Sequence, residues 1–255
     1  MTRGVGTQTF FDNLSENYDD YLSSMDSYGA IVQTIREKTS VQEKDTVLDI
    51  GIGTGRIAIA LARLCGKDGK VIGIDISSRM LQVARQNIEE AGLSDMFELY
   101  EGNAEDFSLK EDLADIVVCA SVFRYFQDQK EMLSKIHRVL KSGGRLVLLD
   151  ISLPENPESF RYKVSKIIWG NTIRTPDEMR SFIEECKLFR NVETEKKTLS
   201  VPPGTREKII AKISEGSGGE IGQRIQEAFA KHIAEGNELE PPPTEFDFHV
   251  TTAIK

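Results

Sequence analysis

The chain has 255 residues, of which 39% are hydrophobic and 29% charged, and its formal net charge is −9 at pH 7. Such a chain is long enough to bury a large core, and its negative charge argues against a phosphate-rich partner such as nucleic acid. No apolar run approaches the roughly 18 residues of a membrane span, and the N-terminus lacks the apolar segment of a signal peptide. We therefore expect a cytoplasmic protein that acts on a small molecule, with neither nucleic acid nor a membrane as partner.

The three cysteines have no spacing that suggests a metal site. Cys65, Cys119 and Cys186 lie far apart, in a predicted helix, strand and helix. We interpret them as buried, reduced thiols and predict no bound metal.

The first 40 residues precede the main pattern of strands and helices. Apolar side chains recur there at helical spacing, and they are Phe11, Leu14, Tyr18, Tyr21, Leu22 and Met25. We predict that residues 1–40 form an N-terminal helical extension or cap.

Between residues 46 and 151, predicted strands and helices alternate at short intervals, which is typical of a parallel α/β sheet. The predicted strands are Thr46–Ile50, Lys70–Asp75, Phe97–Glu101, Asp115–Ala120, Arg145–Ile151, Arg190–Glu195 and Phe246–Ile254. Helices are predicted over Arg56–Cys65, after an N-cap at Ser77, over 127–141 with a C-cap at Ser142-Gly143-Gly144, and after a capping box of Thr175 and Glu178. Residues 41–195 and 245–255 thus form the predicted core, and residues 196–244 a helical insertion or lid.

A glycine-rich turn follows the first strand directly. The sequence Asp49-Ile-Gly51-Ile-Gly53-Thr-Gly55 opens a helix, and the next strand ends in Asp75. Glycines let the backbone approach a ligand closely, and the helix adds the positive end of its dipole. An acid at the tip of the second strand is well placed to accept hydrogen bonds from both hydroxyls of a ribose. The pattern predicts a site for a cofactor that contains adenosine.

The glycine spacing distinguishes between two kinds of cofactor. Dinucleotide folds use G-x-G-x-x-G, whereas this turn reads G-x-G-x-G with Arg56 after it. Asp-x-Gly-x-Gly-x-Gly resembles the first motif of the class I S-adenosylmethionine (SAM) methyltransferases. Gly102-Asn-Ala-Glu-Asp106 resembles their adenine-binding segment, and Phe11-Asp12 followed by Tyr18-Asp19 resembles an N-terminal extension of many small-molecule members.

The resemblance implies a fold, a cofactor and a set of binding residues. The implied fold is a Rossmann-like, mostly parallel seven-stranded sheet of order 3-2-1-4-5-7-6, flanked by helices and with helical lid segments. The implied cofactor is SAM, which leaves as S-adenosylhomocysteine. The implied cofactor-binding residues are Tyr18, Asp49, Gly51, Gly53, Gly55, Asp75, Ile76, Met80, Asn103, Ala104, Glu105 and Ala120. Of these, Asp49 either contacts the cofactor, directly or through the loop, or only holds the backbone of the turn.

Catalytic residues are harder to predict, because methyl transfer is an in-line displacement that depends mainly on positioning and on exclusion of water. Ligands of open α/β sheets bind at the carboxyl ends of the strands. The candidates there are Arg124, as a clamp for an acidic substrate, Tyr125, to orient a hydroxyl, and Asp150, with Ser121, Phe123 and Trp169 nearby. Each also has a structural interpretation, as a surface charge, a strand cap or a packing residue.

We therefore predict a SAM-dependent methyltransferase that acts on an unidentified small-molecule acceptor. Two alternatives stay open: a nicotinamide-dependent oxidoreductase, and a SAM-binding regulatory protein without turnover. A homodimer is compatible with the sequence, but no motif indicates one.

Overall fold

The computed structural model describes residues 28–159, 172–200 and 245–255, together with thirteen single residues elsewhere, of which 8, 9, 11, 12, 15 and 18 are N-terminal. Its helices are α1 (Tyr28–Thr39), α2 (Arg56–Cys65), α3 (Ser78–Glu90), α4 (Gln129–Val139) and α5 (Pro176–Glu185). Its strands are β1 (Thr46–Ile50), β2 (Lys70–Asp75), β3 (Phe97–Glu101), β4 (Ala114–Ala120), β5 (Leu140–Ile151), β6 (Arg190–Ser200) and β7 (Glu245–Ile254).

The strands form a seven-stranded sheet in the order β3-β2-β1-β4-β5-β7-β6, as expected from the family resemblance. The first five strands are parallel, with Val47 opposite both Val71 on β2 and Ile116 on β4. β7 runs antiparallel to both β5 and β6, so that Asp150 faces His249 across the β5–β7 pair. Parallel neighbours need a crossover connection. Helices α2, α3 and α4 supply it between β1 and β2, β2 and β3, and β4 and β5.

Helices cover both faces of the sheet. One apolar cluster joins β-strand residues to Leu61 of α2 and Leu81 of α3, and the other joins them to Leu133 of α4 and Ile183 of α5. The predicted caps are confirmed: the Ser77 hydroxyl accepts from the Met80 N–H, and Thr175 and Glu178 form a reciprocal capping box. These caps fix where α3 and α5 begin, and therefore where the preceding loops end.

Helix α1 changes the interpretation of the N-terminal extension. Ile35 of α1 is fully buried in the same cluster as Leu61 and Val147. The last third of the predicted extension therefore packs as part of the core. The predicted stripe residues Leu14, Tyr21, Leu22 and Met25 lie outside the described residues.

Six predicted boundaries were wrong. Three of them are strand starts: β4 begins at Ala114 rather than Asp115, β5 at Leu140 rather than Arg145, and β7 at Glu245 rather than Phe246. α4 begins at Gln129, not 127, because Asp128 caps it through the Glu131 N–H, and it ends at Val139, not 141, because Leu140 is extended and pairs with Ala114. The glycine pair that follows forms a turn inside β5, with Gly143 at φ 79°. β6 continues to Ser200, where it pairs with Glu245, five residues beyond the predicted end at Glu195.

Candidate active site

The strand order reverses between β1 and β4, which are neighbours in the sheet although they are first and fourth along the chain. The connections after these strands leave toward opposite faces, with α2 on one side and α4 on the other. Such a switch point opens a crevice at the carboxyl edge of the sheet. The Gly51–Gly55 turn and the segment 121–125 form its two sides.

Asp75, at the end of β2, is held by backbone N–H groups. Its Oδ2 accepts from the Gly53 N–H at 2.8 Å, and its Oδ1 accepts from the Ser77 N–H at 2.9 Å. Burial raises the pKa of Asp75, while the N–H groups of Ser77 and Gly53 oppose that shift. The carboxylate is thus fixed in orientation by backbone N–H groups, and a carboxylate has enough acceptor positions to accept from a ligand hydroxyl as well.

The three glycines of the turn have three different structural roles. A Cβ on Gly51 would lie 2.8 Å from the Cβ of Val122, so this position is closed by the protein itself. A Cβ on Gly55 would make an ordinary contact with Ala84 at 3.5 Å. A Cβ on Gly53 would meet no described atom within 4 Å. All three have positive φ, which favours glycine, but only Gly53 faces open space in which a ligand would fit.

Asp49 is buried beneath this turn. Its side chain is 2% exposed, and its Oδ1 has no hydrogen-bond partner among the described residues. Burial, followed by the nearby charge of Asp75, raises the pKa of Asp49 to about 7. An unsatisfied buried carboxyl is costly, and a cationic or hydrogen-donating ligand at the turn would lower that cost.

The predicted adenine-binding residues lie around the ends of β2 and β3. Ile76 is partly exposed, whereas Met80 is 2% exposed and offers a ligand almost no surface. The Asn103 side-chain oxygen accepts from the Glu105 N–H at 3.1 Å, which stabilises the turn through Ala104. The Glu105 carboxylate accepts from the Gln127 and Asp128 N–H groups at 2.9 and 3.1 Å. Glu105 therefore ties this segment to the start of α4.

An N-terminal residue contacts the N-cap of α3. The Ser77 hydroxyl donates to the Asp12 carboxylate at 2.5 Å, and Asp12 belongs to the predicted Phe-Asp motif. The same hydroxyl accepts from the Met80 N–H, so one side chain links the cap of α3 to the N-terminal segment. Tyr18, from that segment, is partly buried.

The opposite side of the crevice follows β4. Ala120, the last residue of β4, pairs with Leu149 and is partly exposed. Ser121 then turns the chain with φ 60°, a conformation that is uncommon outside glycine and is often retained at functional sites. Phe123 is fully buried in the core, so it is a packing residue.

Arg124 and Asp150 form a buried ion pair, which differs from the predicted role of Arg124 as a clamp. The guanidinium binds one Asp150 oxygen, the Arg124 N–H donates to the other at 3.0 Å, and the side chains are 8% and 4% exposed. Burial opposes the charge of Arg124, but the Asp150 carboxylate outweighs it, so that the pKa of Arg124 is raised. The Arg124 guanidinium is also 4.6 Å from the Tyr125 ring centroid and donates to the Tyr125 hydroxyl at 3.3 Å. Its charge is thus matched within the protein rather than presented to a substrate.

Comparison with known proteins shows the family to which the chain belongs. A family model described as a methyltransferase domain matches residues 42–199. The ubiquinone/menaquinone biosynthesis C-methyltransferase UbiE of Hahella chejuensis is 30% identical over 192 residues, which cover 72% of this chain and 77% of the relative. The chain belongs to the methyltransferase-domain family. It is a SAM-dependent methyltransferase, as predicted.

Other relatives and solved structures are similar to part or most of this chain. The demethylmenaquinone methyltransferase of Symbiobacterium thermophilum is 36% identical over 147 residues, which are 56% of this chain and 58% of the relative. A SAM-dependent methyltransferase structure from Aquifex aeolicus has a TM-score of 0.56 and 17% identity, with 96% of this chain and 97% of that chain covered. The [4+2]-cyclase SpnF has a TM-score of 0.64 and 18% identity, with 89% and 80% covered. These structural similarities show the fold alone.

Sequence reasoning missed three contacts of the methyltransferase site: Val122 over Gly51, Asp12 on Ser77, and Arg124 on Asp150. Only the last had a usable signal, because the parallel pairing of β4 with β5 places residues just after Ala120 beside Asp150. Trp169 and most of the insertion 196–244 lie outside the described residues. Within the described part of the chain, no helix is long and apolar enough to span a membrane.

Proposed function

We propose that this methyltransferase binds SAM across the carboxyl ends of β1 and β2 and transfers its methyl group to a small molecule held beside the segment 121–125. The observation that carries the proposal is the open space over Gly53, whose N–H donates to the fixed carboxylate of Asp75. When bound, SAM supplies a methyl group that its sulfonium already activates for displacement. The protein therefore needs to bind, orient and exclude water.

The residues at the cofactor end fit the parts of SAM. Asp75 would accept from the two ribose hydroxyls, because its orientation is fixed by the Gly53 and Ser77 N–H groups. Ile76 would pack on the adenine, and Asn103 and Ala104 would read its edge. Asp49 would face the positive charges of the sulfonium and ammonium groups, which offset the cost of a buried carboxylate. Its role as a direct contact or as an anchor of the loop remains part of the proposal.

The remaining predicted cofactor residues have supporting roles in this proposal. Gly51 and Gly55 shape the turn, Glu105 holds the adenine-binding segment on α4, and Ala120 ends β4 beside the methionine part of SAM. Tyr18 would cover the cofactor from the N-terminal segment. Met80 would support the adenine site from beneath, since it is buried.

The names of two relatives suggest the first acceptor to test. They are described as methyltransferases for ubiquinone or menaquinone biosynthesis and for demethylmenaquinone. We propose a small molecule with an aromatic ring as acceptor, and the reduced naphthoquinone ring, 1,4-dihydroxynaphthalene, is a suitable compound. In-line displacement requires the accepting atom to lie opposite the leaving sulfur, so the segment 121–125 must place this ring with little freedom.

The test has a binding part and a turnover part. Calorimetric titration with SAM, S-adenosylhomocysteine and NAD should show binding of the first two and none of NAD, and NAD binding alone would favour the oxidoreductase alternative. Transfer of radiolabelled methyl from SAM to 1,4-dihydroxynaphthalene under reducing conditions should then be measured with wild type and Asp75→Ala. Binding of SAM without transfer to any acceptor in a wider set would favour the regulatory alternative.

A further inference from the structure

Asp150 lies one strand away from the proposed methyl-transfer position, yet its carboxylate is turned inward. Both of its oxygens accept from Arg124, one from the guanidinium and one from the backbone N–H, and the Ile151 N–H adds a further contact at 2.9 Å. A buried carboxylate with these contacts has its charge matched on the spot. It therefore acts on a ligand only through Arg124.

Arg124 in turn determines the surroundings of Tyr125. The guanidinium carbon is 4.6 Å from the ring centroid, and one of its N–H groups donates to the phenol oxygen. Phe11 also meets the Tyr125 ring in an edge-to-face arrangement, with centroids 5.7 Å apart and ring planes 76° apart. The Tyr125 ring thus contacts both a cation that is itself fixed by Asp150 and an aromatic side chain of the N-terminal segment.

Among the residues that the structure describes, the other titratable side chains near this end are either uncharged or already bound to another side chain. His249, opposite Asp150 on β7, is fully buried, and burial lowers its pKa to about 4, so it is uncharged at neutral pH. Arg174 donates to the Gln129 side chain at 2.6 Å and lies 3.7 Å from the Phe182 ring centroid, toward α5. This end of the crevice therefore combines aromatic surface with internally matched charge.

We propose that Asp150 is a specificity-determining residue: by holding the charge of Arg124 it makes the acceptor end select an uncharged aromatic molecule over its anionic analogue, and it fixes the ring of Tyr125 against which that molecule binds. This proposal rests on the proposed function. Tyr125 is the residue that touches the acceptor, and Arg124 and Asp150 are positioning residues. Without Asp150, Arg124 would attract an acidic substrate, which is the role that sequence reasoning assigned to it.

The test uses two compounds that differ by one carboxylate, 1-naphthol and 1-hydroxy-2-naphthoate. Their dissociation constants are measured by fluorescence on the full-length protein saturated with S-adenosylhomocysteine. We expect wild type to prefer 1-naphthol, and Asp150→Asn to shift the ratio of the two constants toward the naphthoate by about tenfold to a hundredfold, the size of a charge-assisted hydrogen bond. Arg124→Gln should shift the ratio in the opposite direction, because it leaves Asp150 as an unmatched anion.

Two further variants separate charge from packing. Arg124→Gln combined with Asp150→Asn should restore the wild-type preference, since it removes both charges, and Arg174→Gln is the matched control that should leave the ratio unchanged. If Asp150→Asn does not fold, the opposite shift in Arg124→Gln still tests the sign. The ring itself is followed by fluorine NMR of 3-fluorotyrosine at position 125, whose signal should move toward the free amino acid value in the double variant.

The outcomes distinguish this proposal from the proposed function. Failure of S-adenosylhomocysteine to bind would overturn the proposed function first. Binding of S-adenosylhomocysteine with no preference between the two compounds, with a preference for the naphthoate, or with neither bound, would overturn the role of Asp150 alone. An Asp150→Asn ratio equal to that of wild type would do the same, and an unchanged fluorine signal would remove the positioning of Tyr125.

Discussion

The two ends of the crevice differ in whether their buried charges are paired. At the proposed cofactor end, Asp49 and Asp75 are buried acids for which the described residues provide no cationic partner, only backbone N–H groups on Asp75. At the proposed acceptor end, Arg124 and Asp150 neutralise each other inside the protein. SAM carries a net positive charge, from its sulfonium and ammonium groups less one carboxylate. The comparison indicates an end prepared for a cation beside an end prepared for an uncharged molecule.

The largest expected effect comes from breaking the acceptor-end pair. Arg124→Ala leaves Asp150 buried without its partner, so the free energy of unfolding should fall by about 3–5 kcal/mol. Affinity for S-adenosylhomocysteine in the folded protein should change by no more than about twofold, because no cofactor residue contacts Arg124 in the proposal. Urea denaturation and calorimetry measure the two quantities.

The control for this variant is an exposed pair of the same chemistry. Arg180 donates to Asp177 at 2.6 Å with side chains 44% and 85% exposed, so Arg180→Ala should cost at most about 1 kcal/mol. Equal losses in the two variants would show that burial of the Arg124–Asp150 pair does not matter for stability.

The second prediction concerns a substitution at the proposed cofactor end. Asp75→Ala removes the acceptor of two proposed ribose hydrogen bonds, so the affinity for SAM and S-adenosylhomocysteine should fall by about a hundredfold or more. Asp68→Ala, an exposed acid just before β2 at the opposite edge of the sheet, is the matched control and should leave binding unchanged. Unchanged affinity in Asp75→Ala would contradict the ribose assignment.

The third prediction separates two glycines of the same turn. Gly51→Ala forces a Cβ to 2.8 Å from Val122 at positive φ, so it should cost about 2–3 kcal/mol of stability, and Val122→Ala should recover part of that loss. Gly53→Ala meets only backbone strain of about 1 kcal/mol, but its methyl group would enter the proposed cofactor space and weaken binding. A similar stability loss in both variants would contradict the distinction.

Much of the fold could be predicted because local patterns and long-range packing agree. The limits of β1, β2, β3 and α2 follow from apolar runs bounded by glycine and polar residues, and they were predicted to the residue. The end of α4 was not, because Leu140 pairs with Ala114, a partner that only the assembled sheet provides. Local signals for helix and strand compete there, and tertiary pairing decides the outcome.

In the candidate site, too, features that depend on local sequence could be predicted, whereas features that depend on strand pairing could not. Asp75 and the glycine turn are contiguous with strands, so sequence spacing alone indicated them. Arg124 and Asp150 are 26 positions apart, and their pairing depends on the register of β4 against β5, which brings Ala120 opposite Leu149. From its residue type alone, Arg124 was predicted to bind an acidic substrate. The structure shows that its charge is matched by the buried carboxylate of Asp150.

A pH dependence tests the proposed cofactor site directly. Burial, followed by the charge of Asp75, raises the pKa of Asp49 to about 7 from an ordinary value of 3.8. A raised folded-state pKa contributes stability below about pH 4 that is lost as the pH rises through about 7. The stability of wild type relative to Asp49→Asn should therefore fall between about pH 4 and about pH 7 and change little above that. The acid response of His249, present in both proteins, cancels in this comparison.

The affinity for SAM should also depend on the ionisation of Asp49, and it should rise with pH where the stability falls. A cationic ligand favours ionised Asp49, so the affinity of wild type for SAM, divided by that of Asp49→Asn, should rise by about tenfold from pH 6 to pH 8. The division removes the titration of SAM itself, and calorimetry at each pH measures both constants. A flat ratio together with the expected stability change would mean that Asp49 titrates but does not sense the charge of SAM, and its role would then be to anchor the turn. A rising ratio would support a charge interaction between the Asp49 carboxylate and the bound cation.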